Sequence, residues 1–266
     1  MQESSLPPIS NFKITYTPGP LRETKGSPQI IPYLKELKVI NIPRDVNDIR
    51  YYFNNTFSPE EVKEILRRFA GVYHTAAEAR FNLAAAQIKR YSNFLSDDSS
   101  DESQLWVSSV FVNNALINYQ SLFDLILQVS WFYYRIYTHF NVSRENQTKL
   151  SLSTSNLLLI LQKCKWENVL KHKDILEANY FSLLKQFYES AIYSKVNNLA
   201  NSLKHRNKIC YDETMIEDQF LINCNDYSSS ETLKSHTLEE IVSVLKEYHN
   251  AIYDVIKLLC ETHKLK

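Results

Sequence analysis

The sequence predicts an all-α protein, an up-and-down bundle of four to five long helices. Apolar residues recur at helical spacing over long stretches, capping signals stand ahead of three of those stretches, and glycine is scarce. Only 3 glycines occur in 266 residues, at Gly19, Gly26 and Gly71, where ordinary usage would supply roughly 19. Phosphate-cradling loops and dinucleotide fingerprints need glycine for tight turns, so P-loop and Rossmann chemistry are excluded. No Gly-x-Ser-x-Gly nucleophile elbow occurs either.

Residues 1–57 read as an extended N-terminal arm with short helical or strand pieces, and 58–266 as the bundle. Pro7, Pro8, Pro18, Pro20 and Pro28 fall in the first 30 residues and block a helix there. Alternation at Phe12–Tyr16, Leu37–Ile42 and Gln219–Cys224 fits a small β appendage. The first strong helix opens at Ser58-Pro-Glu-Glu61, where Ser58 caps, Pro59 fits the first turn and Glu61 completes a capping box. Its buried stripe, Val62, Leu66, Phe69, Tyr73, Ala76, Leu83 and Tyr91, carries it to about Leu95.

The acidic run Ser96–Glu102 reads as a solvated loop before a second helix, Glu102 to His139. This helix ends in Trp131-Phe-Tyr-Tyr134, which implies burial on several sides and makes it the central rod. Asn118, Gln120, Asp124, Gln128 and Arg135 interrupt its apolar run and would be costly in hydrocarbon, so it is a core helix and not a membrane span. A polar loop and a short helix, Leu157–Cys164, follow. The box Asp174-Ile-Leu-Glu177 opens a helix to about Lys208, and Thr237-Leu-Glu-Glu240 opens the last one.

Lys plus Arg and Asp plus Glu both number 30, so any anion recognition must be local. The N-terminus lacks a basic start followed by an apolar run, and a cytoplasmic location is expected. Cys164, Cys210, Cys224 and Cys260 are too widely spaced for a structural zinc site and read as reduced thiols; no metal or cofactor is expected.

One segment concentrates polar chemistry. Residues 190–211 hold Lys195, Lys204, Arg206 and Lys208 with no carboxylate. Asn197, Asn201 and His205 lie four apart, with Lys208 three further on, so amides, imidazole and ammonium share a helix ridge suited to phosphate and to a base or ribose. Cations near a helix C-terminus also complement the macrodipole, which is the plainer account of them. A second ridge, Gln120, Asp124 and Gln128, continued by Arg135 and His139, needs partners inside so apolar a helix. Asp124 is expected to orient the amides or cations of the 197–206 segment, making one polar cleft; a satisfied network that only fixes helix register is the alternative.

The helix reading Asn118-Tyr-Gln-Ser-Leu-Phe-Asp124, with a later one ending Asn201-Ser-Leu-Lys-His-Arg206, resembles bacterial branches of the HEPN superfamily over residues 58–265. The resemblance implies a helical bundle, often dimeric, that binds RNA or a nucleotide or cleaves RNA in toxin–antitoxin and phage-defence systems, with an antitoxin as partner. The nuclease signature of that superfamily is Arg followed four to six residues later by His. Here the fifth residue after Arg206 is Tyr211, and the imidazole, His205, stands before the Arg. A formal match from Arg68 to His74 is of the kind chance supplies. The cleavage consistent with these residues is metal-independent attack by the ribose 2′-OH. His205 would move the proton, Arg206 and Lys204 would stabilise the phosphate, and Asn201 would orient the imidazole or a ribose hydroxyl. A two-fold dimer would bring two such sets together. A non-catalytic bundle acting by protein–protein association stays open beside this reading.

Overall fold

The computed structural model describes residues 29–39, 57–91, 100–141, 149–153, 155–206, 209, 211 and 236–262. Among them the chain forms eight α-helices: α1 (Ile31–Glu36), α2 (Pro59–Ala85), α3 (Asp101–Tyr133), α4 (Leu157–Gln162), α5 (Trp166–Lys171), α6 (Ala178–Tyr188), α7 (Ala191–Arg206) and α8 (Leu238–Thr262). It is an all-α bundle. The described residues contain no strand, only the isolated bridges Asn141–Lys149 and Tyr211–His236. Of the alternating segments, Leu37–Val39 is not a strand, and the rest lies outside the described residues.

The long helix α3 is the central rod, packed by α2, α7 and α8. Its Tyr119, Phe123, Trp131 and Phe132 are almost wholly buried, together with Tyr180 of α6 and Tyr248 of α8. Burying each such ring removes enough apolar surface for about 2–3 kcal/mol. The hydroxyls of Tyr248 and Tyr180 are satisfied: Tyr248 donates to Tyr119 O at 3.1 Å, and the Tyr180 and Ser130 hydroxyls share a 2.7 Å hydrogen bond.

Two of the three capping boxes form as the sequence indicates. Ser58 Oγ accepts from Glu61 N while Glu61 Oε2 accepts from Ser58 N, and Thr237 and Glu240 exchange the same pair at the start of α8. The third does not. Instead of one helix from Asp174 to Lys208 there is a 3-10 turn, Lys173–Ile175, then α6, then a break at Glu189–Ser190 and α7. Ser190 causes the break locally: its hydroxyl donates to Phe187 O at 2.6 Å and accepts from Tyr193 N at 3.2 Å, closing one helix and capping the next.

Helix α2 stops at Ala85 and not near Leu95 because the carbonyls of its last turn are taken from outside. Tyr91 Oη donates to Ala85 O at 2.8 Å and Ser108 Oγ to Ala86 O at 2.7 Å. Likewise α3 ends at Tyr133 and not at His139. Arg135 adopts the left-handed region (φ 51°), the one non-glycine residue among those described to do so, and a 3-10 turn, Ile136–His139, follows.

The described part of the arm is docked on the bundle. Arg80 of α2 donates to Leu34 O and Leu37 O, Lys38 pairs with Asp254, and Lys246 pairs with Glu36. Beneath them His249, 2% exposed, bridges Tyr119 Oη at 2.8 Å and Lys38 O at 3.1 Å. A carbonyl only accepts, so Nε2 carries the proton and Nδ1 accepts from the tyrosine. No helix among the described residues is long and apolar enough to cross a membrane.

Candidate functional site

The two polar ridges meet. Helices α3 and α7 run antiparallel: Phe123 packs on Tyr193 with ring centroids 4.8 Å apart, and three residues earlier on α3 Gln120 reaches Asn197 and Asn201. Gln120 Nε2 donates to Asn197 Oδ1 at 3.1 Å and to Asn201 Oδ1 at 3.2 Å, while Gln120 Oε1 accepts from Lys204 Nζ. The orienting contact expected from Asp124 is thus made by Gln120.

The polarity of this relay is fixed by Lys204, which has donors only. Gln120 must therefore turn its oxygen to Lys204 and its NH2 to the asparagines. Asn197 and Asn201 in turn must offer their oxygens inward, which leaves both Nδ2 groups facing away from Gln120. Neither group has a partner among the described residues, and both side chains are partly exposed. With the remaining N–H groups of Lys204, Asn197 and Asn201 turn donors outward.

Asp124 lies one turn beyond Gln120 on α3. Its surface is solvent-exposed, yet enough of the chain crowds it for desolvation to raise its carboxyl above the ordinary value, with Lys204 opposing the shift. No hydrogen bond to it is found among the described residues. Gln128, a further turn on, is half-buried, and its Oε1 is buried without a hydrogen-bond partner among the described residues, as are Trp131 Nε1 and Arg68 Nε.

Other expected site residues lie elsewhere. Tyr211 is 3% exposed and donates to Asn113 Oδ1 at 2.6 Å, seven residues before Gln120 on α3, so its hydroxyl is held about two turns from the relay. The backbone of His205 and Arg206 completes the last turn of α7; their side chains, and Lys208, lie outside the described residues. Arg135 leaves the ridge altogether, and His139 stacks on His172 at 4.8 Å. Arg68 pairs with Glu64 at 3.1 Å and His74 is exposed on another face of α2, so the formal Arg–His match joins nothing.

The chain matches no protein-family model, no curated protein and no solved structure.

Beside the relay stands an aromatic group. Tyr188 and Tyr193 are half-buried, their centroids 4.9 Å apart, and Tyr188 stacks on Trp166 at 4.6 Å. The described residues hold no cluster of three or more metal-ligating side chains. Cys164 and Cys260 are free thiols, and burial pushes both up, Cys260 to about 11.

Proposed function

We propose that the chain is a HEPN-like protein that binds RNA or a nucleotide through the phosphate, using Asn197, Asn201 and Lys204. The observation that carries this reading is the direction of the relay. Gln120 takes up the amide oxygens, so what remains outward is amide N–H and ammonium, the complement of a phosphate's acceptor oxygens. Because 190–211 holds no carboxylate, no acid on the same segment competes for the ammonium. In the cleaving form of this reading, His205 moves the proton of a ribose 2′-OH and Arg206 steadies the phosphate.

Titrating a fluorescent single-stranded RNA into the full chain at several salt concentrations tests it. Affinity is expected to fall with salt, and Lys204→Gln is expected to weaken binding and reduce the salt slope by about 0.7, the single-strand value per phosphate contact. A His205→Ala/Arg206→Ala variant that stays folded is expected to lose RNA binding or cleavage. If the wild type shows neither salt-sensitive RNA affinity nor RNA degradation, the protein-association reading replaces this one.

A further inference from the structure

Resting on the anion-site reading above, we propose that the seam between α3 and α7 takes a ribonucleotide with free ribose hydroxyls. The phosphate sits at Lys204, the hydroxyls on the Asp124 carboxylate, and the base against Tyr188 and Tyr193. The order of functional groups along the seam carries the assignment. Since α3 and α7 are antiparallel, going from Lys204 back to Tyr193 on one helix is going from Gln120 toward Asp124 on the other. The groups met are an ammonium, outward amides, a carboxylate and two half-exposed rings, in the sequence phosphate, ribose, base.

Asp124 supplies the second observation. It makes no hydrogen bond among the described residues, and it lies close enough to Lys204 and Tyr193 for each to feel its charge. A carboxylate accepts hydrogen bonds, and a phosphate anion brings none to it. Ribose hydroxyls do, and one turn of α3, about 5–6 Å, separates Asp124 from Gln120, comparable with the reach from a 5′-phosphate to its sugar hydroxyls. Tyr188 is backed by Trp166 at 4.6 Å, and Trp166 in turn stacks nearly parallel to Phe181 at 6° and 6.1 Å and packs on Phe123 at 6.4 Å. That stack gives a rigid ledge for an aromatic base.

Calorimetric titration of the full chain with AMP, 2′,3′-dideoxy-AMP, ribose 5-phosphate and inorganic phosphate tests the assignment. AMP is expected to bind more tightly than dideoxy-AMP by about tenfold or more, the effect of a hydrogen bond to a charged group. AMP should also bind more tightly than ribose 5-phosphate. In Asp124→Asn the ratio of AMP to dideoxy-AMP affinity should shrink, and dideoxy-AMP, relieved of a carboxylate near Lys204, should bind no more weakly than to the wild type. Equal affinity of the wild type for AMP and dideoxy-AMP overturns this inference while leaving the anion site standing. So does RNA binding without AMP binding, which makes the seam a strand interface. Absence of binding to RNA and to every phosphate compound overturns the anion-site reading as well. The wild-type comparison decides the point even if Asp124→Asn fails to fold.

Discussion

Replacing Glu61 by alanine is expected to lower the unfolding free energy by about 3 kcal/mol, whereas the same change at its exposed neighbour Glu60 should be nearly silent. Glu61 is 7% exposed and carries three tasks at once. It completes the capping box of α2, takes a bidentate pair from Arg135 (Nε to Oε1 at 2.7 Å, Nη2 to Oε2 at 2.8 Å), and accepts from Tyr137 Oη at 2.6 Å. Truncation takes from the buried Tyr137 hydroxyl the acceptor at 2.6 Å and from the guanidinium its bidentate carboxylate. Arg135 limits the loss, because its side chain is 42% exposed and can turn to water. Burial alone would raise the Glu61 carboxyl, but the hydrogen bonds from Arg135, Tyr137 and Ser58 outweigh it and hold the carboxyl below its usual value. The contribution of Glu61 is therefore present above the ordinary carboxylate range and fades as pH falls through the lowered value. Urea unfolding of both variants checks this, and equal losses would contradict it.

Acidification from pH 7 to pH 4 is expected to remove stability on the order of 3 kcal/mol through His249 alone. Desolvation pushes this imidazole down to about 4, against the hydrogen bond to Lys38 O, and the charges of Arg80 and Lys38 add to the fall. Below its ordinary value of 6.5 the unfolded chain takes up a proton that the folded chain refuses. Stability is thus intact above that value, declines as pH drops, and the decline saturates near 4. Glu61 titrates lower, while His172, whose imidazole burial also pushes down, shares this interval, so the difference between the wild type and His249→Asn is what isolates His249. His249→Asn should be less stable at pH 7, having lost a bridge between α3 and the 29–39 segment, but its pH dependence between 7 and 5 should be flatter. An unchanged slope would place the acid sensitivity elsewhere.

The fold was legible because its signals are local. Ser58, Glu61, Thr237 and Glu240 announce two helix starts by spacing alone, and glycine scarcity with long apolar periodicity announces the bundle. Where a helix stops was not, since its end depends on distant partners: Tyr91 and Ser108 take the last carbonyls of α2, and Glu61 draws Arg135 out of α3. Of the site, four-residue spacing marked the two ridges, one at Gln120, Asp124 and Gln128 and one at Asn197, Asn201 and His205, but that they meet depends on packing between α3 and α7. Which residue makes the contact was not legible, because Gln120 and Asp124 are one turn apart and only helix register separates them. Tyr188 and Tyr193 carry the periodicity of core residues, so their half-exposure is invisible before packing. His249 left a trace, an imidazole at a buried position of the α8 stripe beside Tyr248, but its partners on α3 and at Lys38 are far away in sequence.

The outward amides of Asn197 and Asn201 are tested most directly by the side-chain NH2 resonances of the full chain during titration with inorganic phosphate. The cross-peaks of Asn197 and Asn201 should shift saturably, while those of Gln120, already committed to the two asparagine oxygens, should move much less. Unmoved asparagine peaks at saturating phosphate, or a response confined to Gln120, would contradict an anion site on this face of α7.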